Sequence, residues 1–246
     1  MIDVAQYRFS HELRLGWEDF FHKNGFVVIT NIFSSSECEE FLVALKKHAE
    51  PGFPTIHNIE RDFPEGRELK EVELVVKNKI IVSMMDVICG SEVVALQNQI
   101  LFKEAGSPYA MQAWNPHQDN SYPQTPNGEY TTTNIFLADA DPENGGMYLY
   151  PGSHKEGLLP FEPTISYREK PGSNPGNTVK IPPQYKKLDL RVKNGDMLIL
   201  HGHVIHGSYP NISKTRSRPL FSVSYLPRGI KFLKGKNNNR REIEVR

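Results

Sequence analysis

The 246 residues carry 29 basic and 29 acidic side chains, so there is no net formal charge to draw the chain to nucleic acid or to an anionic membrane. No apolar run approaches the roughly 20 residues of a membrane span, and the N-terminus, MIDVAQYRFSHELR, lacks an apolar signal core. Only two cysteines occur, Cys38 and Cys89, each within a helical pattern and neither in a CxxC-type pair, which reads as two buried thiols in a reducing compartment. These absences point to a cytoplasmic protein acting on a small molecule, with no nucleic acid or membrane partner; a homo-oligomer stays open.

Hydrophobic residues make up 38% of the chain and aromatics 10%, enough for a substantial core. Up to about residue 90 the texture is largely helical. SHELRLGWEDFFHK (10–23) has apolar positions at helical spacing, and NGFVVITNIF follows as a glycine stop and a strand. SSSECEEFLVALKKHAE opens with capping serines and early acidic residues, and LKEVELVVKNKIIVSMMDVICG reads as a third helical region ended by Gly90.

From about 91 to 228 the chain turns to short apolar or alternating runs broken by turn signals. The strand candidates are VVALQNQILFK, YTTTNIFLAD, GGMYLYP, KLDLRV, DMLILHG, VIHGSY and RPLFSVSYLP. The expected fold is therefore mainly β, one β-sandwich or jelly-roll barrel flanked by N-terminal α-helices, forming a single domain over 1–246. The proline- and glycine-rich stretch of about 155–187 is expected as a lid-like surface insertion without buried strands, and about 231–246 as a polar, basic tail, frayed or an interface arm.

In NPHQDNSYP, His117 and Asp119 stand two apart, so in an extended segment both leave the same face. One imidazole and one carboxylate make two-thirds of a metal site, and LHGHVIHGSYPN offers His201, His203 or His206 as a third ligand. Two histidines and one carboxylate leave coordination positions open, as non-haem Fe(II) oxygenases require; zinc hydrolases could use the same set. Spacing alone does not choose among the three histidines.

PHQDNSY, NGGMYLYPGSHK and GDMLILHGHVIHGSYPNIS running into RSRPLFSVSY, together with GFVVITNIFSSSECEEFL, resemble in order and spacing the signatures of the phytanoyl-CoA dioxygenase family, Fe(II)- and 2-oxoglutarate-dependent oxygenases. The similarity covers most of 17–226. It implies a double-stranded β-helix (a cupin-like barrel), with His117, Asp119 and His206 as iron ligands and His201 and His203 as neighbours. It also implies an arginine for the distal carboxylate of 2-oxoglutarate eleven residues beyond the last histidine, where Ser217 stands between Arg216 and Arg218. One residue inserted in the NISKTRS loop favours Arg218. Ser208 and Ser222 lie at matching parity to help hold that carboxylate, and Gln97, Gln99 and Asn134 fall near the cosubstrate, the glutamines facing inward if Leu96, Ile100 and Phe102 pack on the helices. His154, in PGSHK, is expected as a structural turn residue.

The resemblance implies a dioxygenase consuming O2 and 2-oxoglutarate, and the carboxylate ligand Asp119 favours a hydroxylase over a halogenase. Tyr122, Glu129, Tyr167 and Arg168 in the pocket-forming stretches suit a polar or amphipathic metabolite. The alternatives are an oxygen-independent, cupin-like isomerase or hydrolase, or a silent metal-binding domain.

Overall fold

A computed structural model describes residues 4–47, 55–57, 70–163, 176–235 and 240–246. Among the described residues there are four α-helices: α1 (Arg14–Asn24), α2 (Ser35–Lys46), α3 (Lys70–Val76) and α4 (Lys79–Cys89). Ser34 caps α2 reciprocally with Glu37, its hydroxyl accepting from the Glu37 N–H while the Glu37 carboxylate accepts from the Ser34 N–H. Gly25 and Gly90 end α1 and α4 with φ of 78° and 66°, the left-handed geometry that releases the chain. The expected third helical region is in fact two helices. The Asn78 side chain accepts from the N–H groups of Ile80 and Ile81 and so starts a new helix within the apolar run.

Thirteen strands are described: β1 (Arg8–Phe9), β2 (Phe26–Ile29), β3 (Thr55–His57), β4 (Val93–Leu101), β5 (Trp114–His117), β6 (Thr131–Phe136), β7 (Met147–Leu149), β8 (Phe161–Glu162), β9 (Thr178–Val179), β10 (Leu188–Asp189), β11 (Met197–His201), β12 (His206–Ser208) and β13 (Leu220–Pro227). They form a seven-stranded sheet, β1-β2-β11-β6-β13-β4-β3, and a six-stranded sheet, β10-β7-β12-β5-β9-β8. From β4 to β7, and again from β11 to β13, successive strands alternate between the sheets. This is the winding of a double-stranded β-helix, as expected.

The two faces of the large sheet have different partners. Val27, Ile135, Ile199, Phe221 and Val223 face outward and pack with Trp17 and Phe21 of α1, Phe41 and Leu45 of α2, Val75 of α3 and Ile81 and Met85 of α4. Facing inward, Phe26, Val28, Phe136, Leu198 and Leu220 pack against Met147 and Leu149 of the small sheet. Cys38 is buried and Cys89 partly buried, both as free thiols whose pKa burial pushes up to about 11 and about 12.

Next to that apolar inner cluster the inner face turns polar. Asn134, Ser222 and Gln99 are cross-strand neighbours on β6, β13 and β4, and Thr132, Ser224 and Gln97 form the next row. The glutamines thus face inward, but for a different reason than expected. Ile100 and Phe102 pack on the helical side, whereas Leu96 joins Val94, Tyr130 and Leu226 in a separate cluster. The register shift between Ser224 and Tyr225 leaves Leu96 as an extra residue in β4, a bulge that breaks strict alternation.

One further expectation, the frayed tail, is corrected, and the insertion adds two short pieces to the margin of the small sheet. The 155–187 stretch contributes β8 and β9 to the small sheet, and Thr178 pairs with His117; short edge pieces at a sheet margin tolerate the proline content that excludes a central strand. Residues 164–175, and with them Tyr167 and Arg168, lie outside the described residues. The tail is docked over residues 240–246. Ile243 bridges to Ala95, Val245 enters the core, Arg228 makes a two-point pair with Glu244, and Arg240 donates to Gln97 Oε1 at 3.2 Å. Among the described residues no helix is long and apolar enough to cross a membrane.

Candidate metal centre

His117 closes β5 and His206 opens β12, and the two are direct cross-strand partners in the small sheet. Asp119 lies beyond the end of β5, at the start of a 3-10 turn over Asp119–Ser121. Gln118 between them is extended, with φ −114° and ψ 128°, so its side chain takes the opposite direction. There it donates to the carbonyls of Gly157 and His203 and accepts from the Leu159 N–H, tying the motif to the start of the insertion. The alternation expected of an extended segment therefore holds for the one residue that needs it.

His117 Nε2 and His206 Nε2 each lie 3.5 Å from Asp119 Oδ1, and the imidazole centroids are 4.4 Å apart. Backbone carbonyls orient both rings: His117 Nδ1 meets the Asn115 carbonyl at 2.7 Å and His206 Nδ1 the Val204 carbonyl at 3.1 Å. With Nδ1–H donating, each Nε2 keeps its lone pair toward the centre. Thr132 Oγ1 donates to Asp119 Oδ2 at 2.7 Å, which occupies one carboxylate oxygen and leaves the other to the centre. Burial raises the Asp119 pKa, but His206, His117 and the Thr132 hydroxyl outweigh it and hold the carboxyl well below its usual range. Burial holds His206 down to about 4, Asp119 opposing. At neutral pH the His206 imidazole is uncharged beside an ionised carboxylate.

The three ligand atoms lie within 4.8 Å of one another. A carboxylate and two imidazole nitrogens suit a divalent first-row metal, and among the described residues no further His, Cys, Asp or Glu joins the cluster. The donor set fits Fe(II) in an open, three-ligand site.

His201 and His203 do not join this cluster. β11 ends at His201 and the chain crosses to the other sheet before His206, so the parity between these histidines has no bearing. His203 Nε2 meets Asn120 Nδ2 at 3.0 Å, and His201 Nδ1 accepts from the His203 N–H. His154 sits in a 3-10 turn with Nε2 3.1 Å from the His22 carbonyl, its ring 5.1 Å from that of His201.

Burial, with His154, His203 and His22 adding, holds His201 down to about 3. The unfolded chain binds this proton near pH 6.5 and the folded one does not. The resulting stability is present above that pH and is lost as pH falls through it. By pH 4.5 the loss attributable to His201 is about 2–3 kcal/mol. His201→Asn keeps an acceptor for His203 and cannot titrate, so its urea midpoint should fall less steeply than wild type between pH 7 and 4.5. Parallel slopes would show that His201 does not drive the acid limb.

Beyond the centre the inner wall holds polar groups without partners. Arg218 is 1% exposed; its Nε donates to the Gly145 carbonyl at 3.0 Å, and Nη1 is buried without a hydrogen bond. Asn134 Nδ2 and Trp114 Nε1 are likewise buried and unpartnered. Arg216 is instead at the surface, making a two-point pair with Asp141 and a third bond to Glu143. Ser208 and Ser222 are buried, and Ser208 Oγ accepts from Lys103 Nζ at 2.8 Å. Burial, opposed by Tyr109, lowers the Arg218 pKa to about 10.

Among the pocket residues expected from sequence, Tyr122 lies near the centre, its ring 6.2 Å from His117 and its hydroxyl accepting from the Asn177 N–H. Glu129 turns away and accepts from Asn127. Sequence reasoning missed Thr132, Trp114 and Lys103. The one legible signal was Lys103, a charge directly closing the apolar run ILF.

The family model described as phytanoyl-CoA dioxygenase (PhyH) matches residues 21–219. A phytanoyl-CoA dioxygenase of Arabidopsis thaliana is 34% identical over 134 residues, covering 53% of this chain and 43% of that one. The chain spans 39–43% of the length of the first curated relatives it matches. Among solved structures, the 2-oxoglutarate-dependent carbocyclase SnoK from nogalamycin biosynthesis superposes with a TM-score of 0.71 at 19% identity, covering 94% of this chain and 91% of its own. The epimerase SnoN, solved with Fe3+, 2-oxoglutarate and nogalamycin RO, gives 0.68 at 17% identity over 87% and 84%. These likenesses show a shared fold.

Proposed function

Because the chain belongs to the phytanoyl-CoA dioxygenase family, we propose that it is an Fe(II)- and 2-oxoglutarate-dependent oxygenase that hydroxylates a small polar or amphipathic molecule. The observation that carries this reading is the cluster of His117, Asp119 and His206, with both imidazoles held Nε2-inward and one carboxylate oxygen left free. When bound, iron and 2-oxoglutarate supply oxygen activation coupled to release of succinate and carbon dioxide.

The chain's own residues hold and orient the reactants. His117 and His206 on the small sheet, with Asp119 just beyond β5, would hold the metal. Arg218 offers a buried guanidinium for the distal carboxylate, with Ser222, Asn134 and Gln99 in one row of the large sheet and Ser208 on the small sheet. The buried Nη1 of Arg218 and Nδ2 of Asn134 lack partners, as groups awaiting an acceptor do. Phe136, Leu198 and Leu220 pack the inner cluster beside this wall and exclude water. Tyr122 and Trp114 flank His117 where a substrate would approach.

The carboxylate of Asp119 occupies the position that a halide needs in a halogenase, which favours hydroxylation over halogenation. An oxygen-independent isomerase would have no use for the buried arginine. Iron-loaded protein given 2-oxoglutarate should form succinate in air and none under anaerobic conditions. No succinate in either condition, at any iron load, would overturn the reading.

A further inference from the structure

The segment after β13 carries a second buried arginine to the polar inner wall. Arg240 is 5% exposed; its Nε donates to Gln97 Oε1 at 3.2 Å, and its Nη1 reaches the Leu233 and Lys234 carbonyls at 3.3 and 3.5 Å. All three partners are neutral, and among the described residues no carboxylate pairs with this guanidinium. A charge taken out of water and held by neutral groups is costly, and an incoming anion offsets that cost. The tail has other anchors: the Arg228–Glu244 pair, the Ile243–Ala95 bridge, Val245 in the core, and the Leu233 N–H donating to the Pro123 carbonyl at 2.6 Å. The last of these lays the tail against the loop that follows Asp119.

A single row of side chains joins Arg240 to the metal centre. Gln97, Ser224 and Thr132 are cross-strand neighbours on β4, β13 and β6, and the Thr132 hydroxyl donates to Asp119 Oδ2 at 2.7 Å. Two strand spacings, roughly 10 Å, separate the first and last of them. Tyr122 and Tyr130 sense both ends of the row: burial raises both phenol pKa values, with the Asp119 charge adding and the Arg240 charge opposing. Arg218 addresses a different end of the wall, since its N–H donates to the Lys103 carbonyl, six residues beyond Gln97. We propose that Arg240 sets the substrate class: it binds an anionic head group, a carboxylate or a phosphate monoester, and so directs a carbon on the order of 10 Å away to the metal. The inference rests on the oxygenase reading above and narrows its polar or amphipathic molecule to an anionic one.

The test uses the full chain loaded with Fe(II) and 2-oxoglutarate under anaerobic conditions, where the charge-transfer absorption of the iron–2-oxoglutarate complex reports a molecule seated beside the iron. Octanoate, octyl phosphate and octanamide are the probes; they share a chain of suitable length and differ in the head group. Wild-type protein should bind one of the two anions roughly 10-fold or more tightly than the amide, and the tighter one identifies the head group. Arg240→Gln should weaken that anion by roughly 10- to 30-fold while leaving octanamide and 2-oxoglutarate within about twofold of wild type. Arg240→Lys keeps the charge without the planar fork and should lose only part of the preference, which also serves where the Gln variant does not fold. A merely anchoring arginine would weaken all three probes alike, and that result, or a wild type with no preference for either anion, would overturn the assignment. Wild-type protein that develops no charge-transfer band with 2-oxoglutarate would instead remove the oxygenase reading itself.

Discussion

His206→Ala should abolish stoichiometric Fe(II) binding and with it any turnover of 2-oxoglutarate, whereas His203→Ala should retain the metal. The two histidines are three residues apart and both buried, so composition and burial alone do not separate them. Geometry does. His206 presents Nε2 3.5 Å from Asp119 Oδ1, with the Val204 carbonyl fixing the other nitrogen, while His203 spends Nε2 on Asn120. Removing one of three ligands leaves a two-point site, and its affinity loss should exceed the roughly 10- to 100-fold typical of supporting contacts. His203→Ala strands only the Asn120 amide, at a stability cost of about 1 kcal/mol. Iron content after dialysis against a weak chelator reads both variants. Iron lost from His203→Ala and kept by His206→Ala would exchange their roles.

Why sequence reached this site but not its surroundings is a matter of range. β6, β11 and β13 are legible because strictly alternating or apolar runs face two packed layers, and α2 because Ser34 and Glu37 lie three residues apart in the chain. β5 is different. WNPH has no alternation and contains a proline, and it becomes a strand only through its partners β12 and β9, supplied from about 60 to 90 residues downstream. The break at Asn78 was written locally, yet the apolar periodicity on both sides concealed it. The tail looked frayed because its composition is polar, whereas Arg240 is anchored on Gln97, 143 residues earlier. Lys103 belongs to the same class: the run ILF before it marks it only as a charge ending a strand, and its burial is set by Ser208 and Arg218, more than 100 residues downstream.

Arg218→Ala should raise the 2-oxoglutarate concentration needed for half-saturation by a factor of roughly 30 or more, and Arg216→Ala should leave it near wild type. Both arginines sit at the same parity before β13, so facing direction does not distinguish them. Their surroundings do. The Arg216 side chain is 38% exposed and already satisfied by Asp141 and Glu143, so it has little to offer a ligand, and breaking those surface pairs should cost about 0–1 kcal/mol of stability. Arg218 is buried, bonds through Nε to one carbonyl and keeps Nη1 without a partner. A planar fork with a free edge in a desolvated site binds a carboxylate through two charge-assisted bonds, which together contribute on the order of 2–5 kcal/mol. Arg218→Lys retains the charge and loses the fork, so it should recover only part of that affinity. Anaerobic titration of the iron-loaded variants with 2-oxoglutarate measures all three. A large loss in Arg216→Ala with Arg218→Ala close to wild type would place the cosubstrate on the surface arginine, and the buried Arg218 would then need another ligand.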